Sequence, residues 1–216
     1  MKELSSDHAI VLSVSPFRES DLLARIFTLT HGVIPAVARG GRRSLRRFAG
    51  VVESCALLTI SLSIRPNGLS TLLEARRNGH GIGLRTHLDR FTIASYFCEL
   101  TLSFLPEHLP NRRLFRLLWH LVDHLGEGEE VDLPSLKCFG EINLLKVTGY
   151  LPTLGELPLP EEIRQKLMGC LATSRLTAIT FSPAESAIAS TLLQREIATH
   201  LERPIRSLES LSIFLK

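Results

Sequence analysis

The sequence predicts two kinds of structure in series: a five-stranded β-barrel over residues 1–79, then an α-helical domain over residues 80–216. Three observations carry this reading. Short apolar runs rich in β-branched side chains recur between turn residues up to Arg77. The stretch Asn78-Gly-His-Gly-Ile-Gly83 is the most glycine-dense of the chain and reads as a hinge at the domain boundary. Beyond it, apolar residues recur at spacings of three and four, the period of a helix. At 216 residues, with 44% apolar and 22% charged side chains, the chain has the make-up of a globular protein with a real core.

The elements follow in order. Residues 7–16 read as a strand closed by Pro16, and residues 17–21 as a polar turn. Leu22 to Thr30 is a second apolar run, ended by His31-Gly32, and Val33 to Arg39 a third. Val51 to Ile64 reads as one long strand, with Leu58, Ile60, Leu62 and Ile64 alternating against Thr59, Ser61 and Ser63. Pro66-Asn67-Gly68 is a hairpin signal, and Ser70 to Arg77 the returning strand. Five such strands fit a small closed barrel such as the oligonucleotide-binding fold, but an SH3-like barrel or another meander would give the same pattern.

Helices are expected over 84–104, 111–125, 134–148 and 160–172. A fifth begins at Ser182-Pro183-Ala-Glu185, which combines an N-cap serine, a first-turn proline and a capping-box glutamate. The C-terminal Leu208, Leu211, Ile213, Phe214 and Leu215 are too apolar for a free tail and are expected to dock back.

Charge is unevenly shared. Residues 1–79 hold eleven Lys and Arg against six Asp and Glu, a net +5, whereas the remainder is −2. The excess centres on Pro35 to Arg47, where Arg39, Arg42, Arg43, Arg46 and Arg47 occur with no acidic residue. Gly40 and Gly41 mark where the apolar run turns into a flexible loop. A run of charge can be no more than a solvated surface, yet guanidinium forks match phosphate oxygens. Arg76 and Arg77 end the fifth strand, and Lys2, Arg18, Arg25 and Arg65 add to the same domain. Aromatic residues here are few, namely Phe17, Phe27 and Phe48, so stacking of bases is poorly provided for. Backbone-dominated, sequence-independent nucleic-acid binding is the expectation.

No catalytic constellation occurs, and no Gly-x-Ser-x-Gly elbow. His120 and His124 lie i,i+4, but His-Leu-Val-Asp-His lacks the glutamate of a zinc-protease motif and reads as a structural pair. Glu127, Glu129 and Glu130 fit no calcium-loop spacing and read as a solvated loop. Cys55, Cys98, Cys138 and Cys170 lie 43, 40 and 32 residues apart, without metal-ligand spacing, and are expected as reduced, buried thiols. The N-terminus lacks a signal-peptide core and no apolar run approaches the ~20 residues of a bilayer span, so a cytoplasmic protein without a membrane role is expected.

Ala9-Ile-Val-Leu, Arg18-Glu-Ser-Asp-Leu-Leu, Leu29-Thr-His-Gly32 and Ala38-Arg-Gly-Gly-Arg-Arg-Ser follow one another in the chain, and in that order they are similar to the bacterial RecO family of DNA-repair proteins. Further on, Phe139 to Pro152 and Leu201-Glu-Arg-Pro-Ile-Arg-Ser207 resemble helical segments of the same family. No single motif is diagnostic; the ordered set is. The resemblance implies an oligonucleotide-binding barrel followed by a helical domain, and no enzyme activity. It implies binding of single- and double-stranded DNA, annealing of complementary strands and help in loading RecA. RecR and the C-terminal tail of the single-stranded-DNA-binding protein are the implied partners, and the nucleoid the implied place of work. Its basic DNA-binding loop falls on Arg39, Arg42, Arg43, Arg46 and Arg47. Many relatives carry a four-cysteine zinc module after the Gly-Tyr-x-Pro segment; Thr153 to Ser182 holds only Cys170, so no zinc or other cofactor is expected. An RNA-binding module of translation or ribosome assembly is the alternative reading, and a metal-dependent enzyme using the histidines a weaker one.

Overall fold

In a computed structural model, which describes residues 3–44, 47–48, 50–65, 68–127 and 130–214, strand β1 (Glu3–Phe17) frames the barrel. It is long enough to pair on both sides. Its first half runs antiparallel to β4 (Leu57–Ile64), from Glu3 opposite Ile64 to Ile10 opposite Leu57. Its second half runs antiparallel to β2 (Asp21–Thr28), from Ala9 opposite Thr28 to Phe17 opposite Asp21. A register shift between Val11 and Ser13 bends β1 from one partner to the other. β2 pairs with β3 (Gly32–Ala38), and β4 with β5 (Ser70–Arg77). A short parallel seam, Ala36–Ala38 against Ser70–Leu72, closes the sheet in the order β1-β2-β3-β5-β4. That closure is the oligonucleotide-binding arrangement.

The barrel interior is filled by alternate residues of each strand. Ala9, Ala24, Ile26, Ile34, Ala36, Leu58, Ile60 and Leu62 are all at most 1% exposed. Small alanines interleave with branched side chains because a five-stranded barrel leaves little room at its axis. β4 begins at Leu57, six residues later than the apolar pattern suggested. Cys55 has φ +64°, which breaks the extended backbone. Residues 55 and 56 still bond to β1: Cys55 N–H donates to Val11 O and Val11 N–H to Ala56 O, at 2.8 and 3.0 Å.

After β5 a 3-10 turn (Gly81–Thr86) leads into α1 (Leu88–Phe104) and α2 (Arg112–Gly126). Asn111 caps α2 by accepting from the Leu114 N–H. The Phe27 and Phe115 rings meet edge to face, with centroids 5.3 Å apart, so β2 and α2 share a hydrophobic contact. The packing divides the chain into two compact units, Met1–Gly128 and Glu129–Lys216, so the passage from strand to helix falls inside the first. The glycines there allow a close approach of backbones. A side chain on Gly83 would collide with the Gly126 carbonyl, and one on Gly126 with the His80 carbonyl. They permit the 3-10 turn and the end of α2 to touch backbone to backbone.

The second unit holds α3 (Leu133–Thr148), α4 (Glu161–Ala172), α5 (Pro183–Thr199) and α6 (Ser207–Phe214). α3 ends at Gly149 with φ +84°, a left-handed C-cap. α5 starts with the expected capping box: Ser182 accepts from the Glu185 N–H, and Glu185 Oε2 accepts from the Ser182 N–H at 2.7 Å. α3 packs on α4 and α5 around a fully buried ion pair, in which Lys137 Nζ lies 2.6 Å from Glu141 Oε1 and 2.5 Å from Ser190 Oγ. The apolar C-terminal segment forms α6, though Leu215 lies outside the described residues. The Pro66-Asn67 turn and Lys2 lie outside them too. No helix among the described residues is long and apolar enough to cross a membrane.

Candidate nucleic-acid interface

The basic segment after β3 folds back on the β1–β2 turn. Gly40, at φ +66°, aims its N–H at Asp21 Oδ1, 2.7 Å away. The Arg42 N–H then donates to Ser20 O at 3.0 Å, and Arg42 Nη1 to Glu19 O at 3.3 Å. The N–H groups of Arg43 and Ser44 both return to Gly40 O. All but the Arg42 Nη1 bond fix backbone alone, and they leave the Arg43 guanidinium outside.

Further on, the chain is tied to β5, the strand that pairs with β3. Beyond the parallel seam β5 has a free edge, and Ala75 N–H there donates to Arg47 O at 3.2 Å. Arg47 Nη2 donates to Arg39 O at 2.6 Å, and its guanidinium lies 5.2 Å from the centre of the Phe48 ring. Phe48 itself is 0% exposed and packs in the barrel core with Val52 and Ala56. The flexible loop read from the two glycines is therefore an anchored one. A burial of this kind is worth several kcal/mol, on the order of 3–5 by comparison with Phe→Ala substitutions.

The consequence is a group of exposed arginines on and beside this segment. Arg39, Arg42, Arg43 and Arg47 are exposed, as is Arg76, next to the Ala75 that holds Arg47. Exposed Arg18, at φ +54°, sits in the turn whose carbonyls hold Arg42. Arg46 lies outside the described residues. Arg77 is different: its Nη2 lies 2.8 Å from Glu53 Oε1, and Arg85 grips the same carboxylate through Nε and Nη2 at 2.6–3.0 Å. Arg77 is consumed in a local ion-pair network, whereas Arg76, its neighbour on the other face of β5, projects outward. Arg25 and Arg65 are exposed elsewhere on the barrel, at the middle of β2 and the end of β4.

Glu53, Phe48 and Asp21 are the residues that sequence reasoning missed. Phe48 had one local signal, an aromatic isolated within a polar basic stretch. Of the three aromatics here, Phe27 and Phe48 are buried and Phe17 is half-buried, so no exposed stacking platform forms from them. All four cysteines are free and buried. Burial pushes the Cys138 and Cys170 thiols up to about 12. His124 Nδ1 lies 3.1 Å from Glu127 Oε2, so Glu127, though 40% exposed, also belongs to a contact network. Glu129 lies outside the described residues, and Glu130 is exposed.

Comparison with known proteins agrees with this architecture. The family model described as Recombination protein O N terminal matches residues 1–77, and Recombination protein O C terminal matches residues 85–156. The DNA repair protein RecO of Geobacter metallireducens is 36% identical over 237 aligned positions, covering 95% of this chain and 96% of the relative. Its counterpart from Geobacter sulfurreducens is 34% identical, covering 93% and 94%. That of Pelobacter propionicus is 33% identical, covering 94% of each. Barrel, helices and sequence similarity over nearly the whole length agree: the chain belongs to the RecO family of DNA repair proteins.

Proposed function

We propose that this chain is a non-enzymatic DNA-binding recombination mediator, which binds single- and double-stranded DNA, anneals complementary strands and helps load RecA. The observation that carries the reading is the anchored arginine edge formed by Arg39, Arg42, Arg43, Arg47 and Arg76. Arg46 lies in the same segment and completes the proposed set; Arg77 is left as a structural ion-pair partner.

The physics is that of two polyanions brought together. Each guanidinium that meets a phosphate displaces condensed counterions, and the entropy of their release drives binding. Holding the loop's backbone through Asp21, Ser20 and Ala75 beforehand reduces the ordering cost on binding. With no exposed stacking platform among the described aromatics of the barrel, the protein reads charge and leaves sequence recognition to base pairing between the strands. RecR and the C-terminal tail of the single-stranded-DNA-binding protein are the proposed partners, and the cytoplasm at the nucleoid the proposed location.

Annealing of two complementary fluorescent oligonucleotides tests this, with Ala at positions 42, 43, 46 and 47 as the comparison and circular dichroism as the check on folding. Acceleration by the wild type and none by the folded variant is the expected result. No acceleration by either protein would overturn the annealing role. Preference for RNA over a matched DNA competitor would overturn the DNA assignment.

A further inference from the structure

His80, Asp123 and Glu127 come together although 43 residues separate the first two. His80 Nδ1 lies 3.3 Å from Asp123 Oδ1 and 3.6 Å from Glu127 Oε1, and the three atoms all lie within 4.8 Å of one another. From this geometry we propose a divalent cation site of one imidazole and two carboxylates, with zinc or a similar transition ion as ligand.

The spacing fits the ion. Bonds of about 2.0–2.1 Å at tetrahedral angles put neighbouring ligand atoms about 3.3 Å apart, close to the two separations here. The donor set selects the class: an imidazole nitrogen with carboxylate oxygens suits a borderline transition ion, whereas magnesium and calcium favour oxygen alone. Two carboxylates balance the charge of a divalent ion, with water completing the coordination.

The site is also built in advance. Asp123 and Glu127 are i,i+4 at the end of α2, so one helical turn presents both carboxylates on one side. Asp123 Oδ1 accepts the His80 backbone N–H at 2.5 Å, which fixes the histidine's backbone against the helix. The Gly83 and Gly126 approach holds the two segments at that distance. Glu127 is oriented from behind by His124, 3.1 Å from Oε2, which leaves Oε1 facing His80. A histidine supporting a ligating carboxylate in this way is the kind of outer contact that metal sites use. The Arg90 guanidinium donates to the Leu125 and Glu127 carbonyls and fixes the helix end. Occupancy would tie the turn after the barrel to α2, so binding stabilises the first unit.

This inference does not rest on the DNA-binding reading, and its test uses no DNA. Zinc is titrated calorimetrically into the metal-free full chain, and cobalt is used as a visible-absorption probe of the coordination. The expected result is one ion per chain and a zinc-dependent rise in melting temperature. His80→Ala and Glu127→Gln should each weaken zinc binding at least ~10-fold, the scale on which ligand shells tune affinity. His120→Ala, on an exposed face of the same helix, should leave it unchanged. His80 is itself exposed, so its variant folds, and circular dichroism checks this. Absence of a zinc-dependent shift would overturn the proposal, leaving the three residues as an ordinary ion pair. Binding that survives both His80→Ala and Glu127→Gln would overturn it too, by placing the ion elsewhere.

Discussion

Arg43→Ala and Arg77→Ala each remove one arginine charge from the same barrel, yet they should act differently on DNA binding. The Arg43 side chain has no hydrogen-bond partner among the described residues and faces solvent, whereas Arg77 is held by Glu53 at 2.8 Å. Five exposed arginines, Arg39, Arg42, Arg43, Arg47 and Arg76, line the proposed edge. If each meets one phosphate of a single strand, the slope of log K against log salt is about −3.5, from ~0.7 per contact. Affinity then falls about 100-fold between 50 and 200 mM salt, as that slope requires for a fourfold change. Arg43→Ala should make the slope shallower by ~0.7. Arg77→Ala should leave it unchanged, since the removed charge was already neutralised locally. Fluorescence anisotropy of a labelled oligonucleotide at four or five salt concentrations measures both slopes. Equal flattening by the two variants would refute the distinction drawn from Glu53, and a flat wild-type line would refute the electrostatic account altogether.

Other outcomes follow from packing and titration. Phe48→Ala should cost about 3–5 kcal/mol in the melting of the first unit, because it empties a fully buried site in the barrel core. It should also weaken oligonucleotide binding, through a loop released from its anchor. Glu141→Ala should destabilise the second unit by about 3–5 kcal/mol, since it removes the carboxylate that pairs with the buried Lys137 ammonium; chemical denaturation followed by circular dichroism measures this. Glu185 is held down to about 2 by the Lys166 ammonium and then by the Ser182 N–H. Its ionised form is the folded one, so its contribution is present above the ordinary carboxylate range and is lost as pH falls towards 2. Acid unfolding of wild type against Glu185→Gln should show that loss between about pH 5 and pH 2 in the wild type alone.

Much of this protein is local and therefore readable from the chain. Period-two alternation at Leu58, Ile60 and Leu62 fixes which side of β4 faces inward, because successive side chains of a strand point oppositely. The capping box at Ser182 and Glu185 marks the start of α5, because the bonds concerned span three residues. The run of arginines after β3 is plain in the sequence, and with it the position of the candidate interface.

What the sequence could not settle depends on contacts between distant residues. The parallel seam of β3 on β5 separates the oligonucleotide-binding arrangement from other small barrels. It joins residues 34 positions apart, Ala36 and Ser70, with no local pattern to announce it. Whether an arginine is available or spent depends on a carboxylate 24 residues away, and so Arg76 and Arg77, adjacent in sequence, part company only once Glu53 is in place. Phe48 looks like a loop aromatic until the open end of the barrel takes it in. The glycine-dense stretch Asn78 to Gly83 reads as a hinge, and only the approach of Gly83 to Gly126 shows closeness there. Sequence by itself determined the elements and the charge they carry; the tertiary structure decided which charges are free, because neutralisation and burial are properties of neighbours in space.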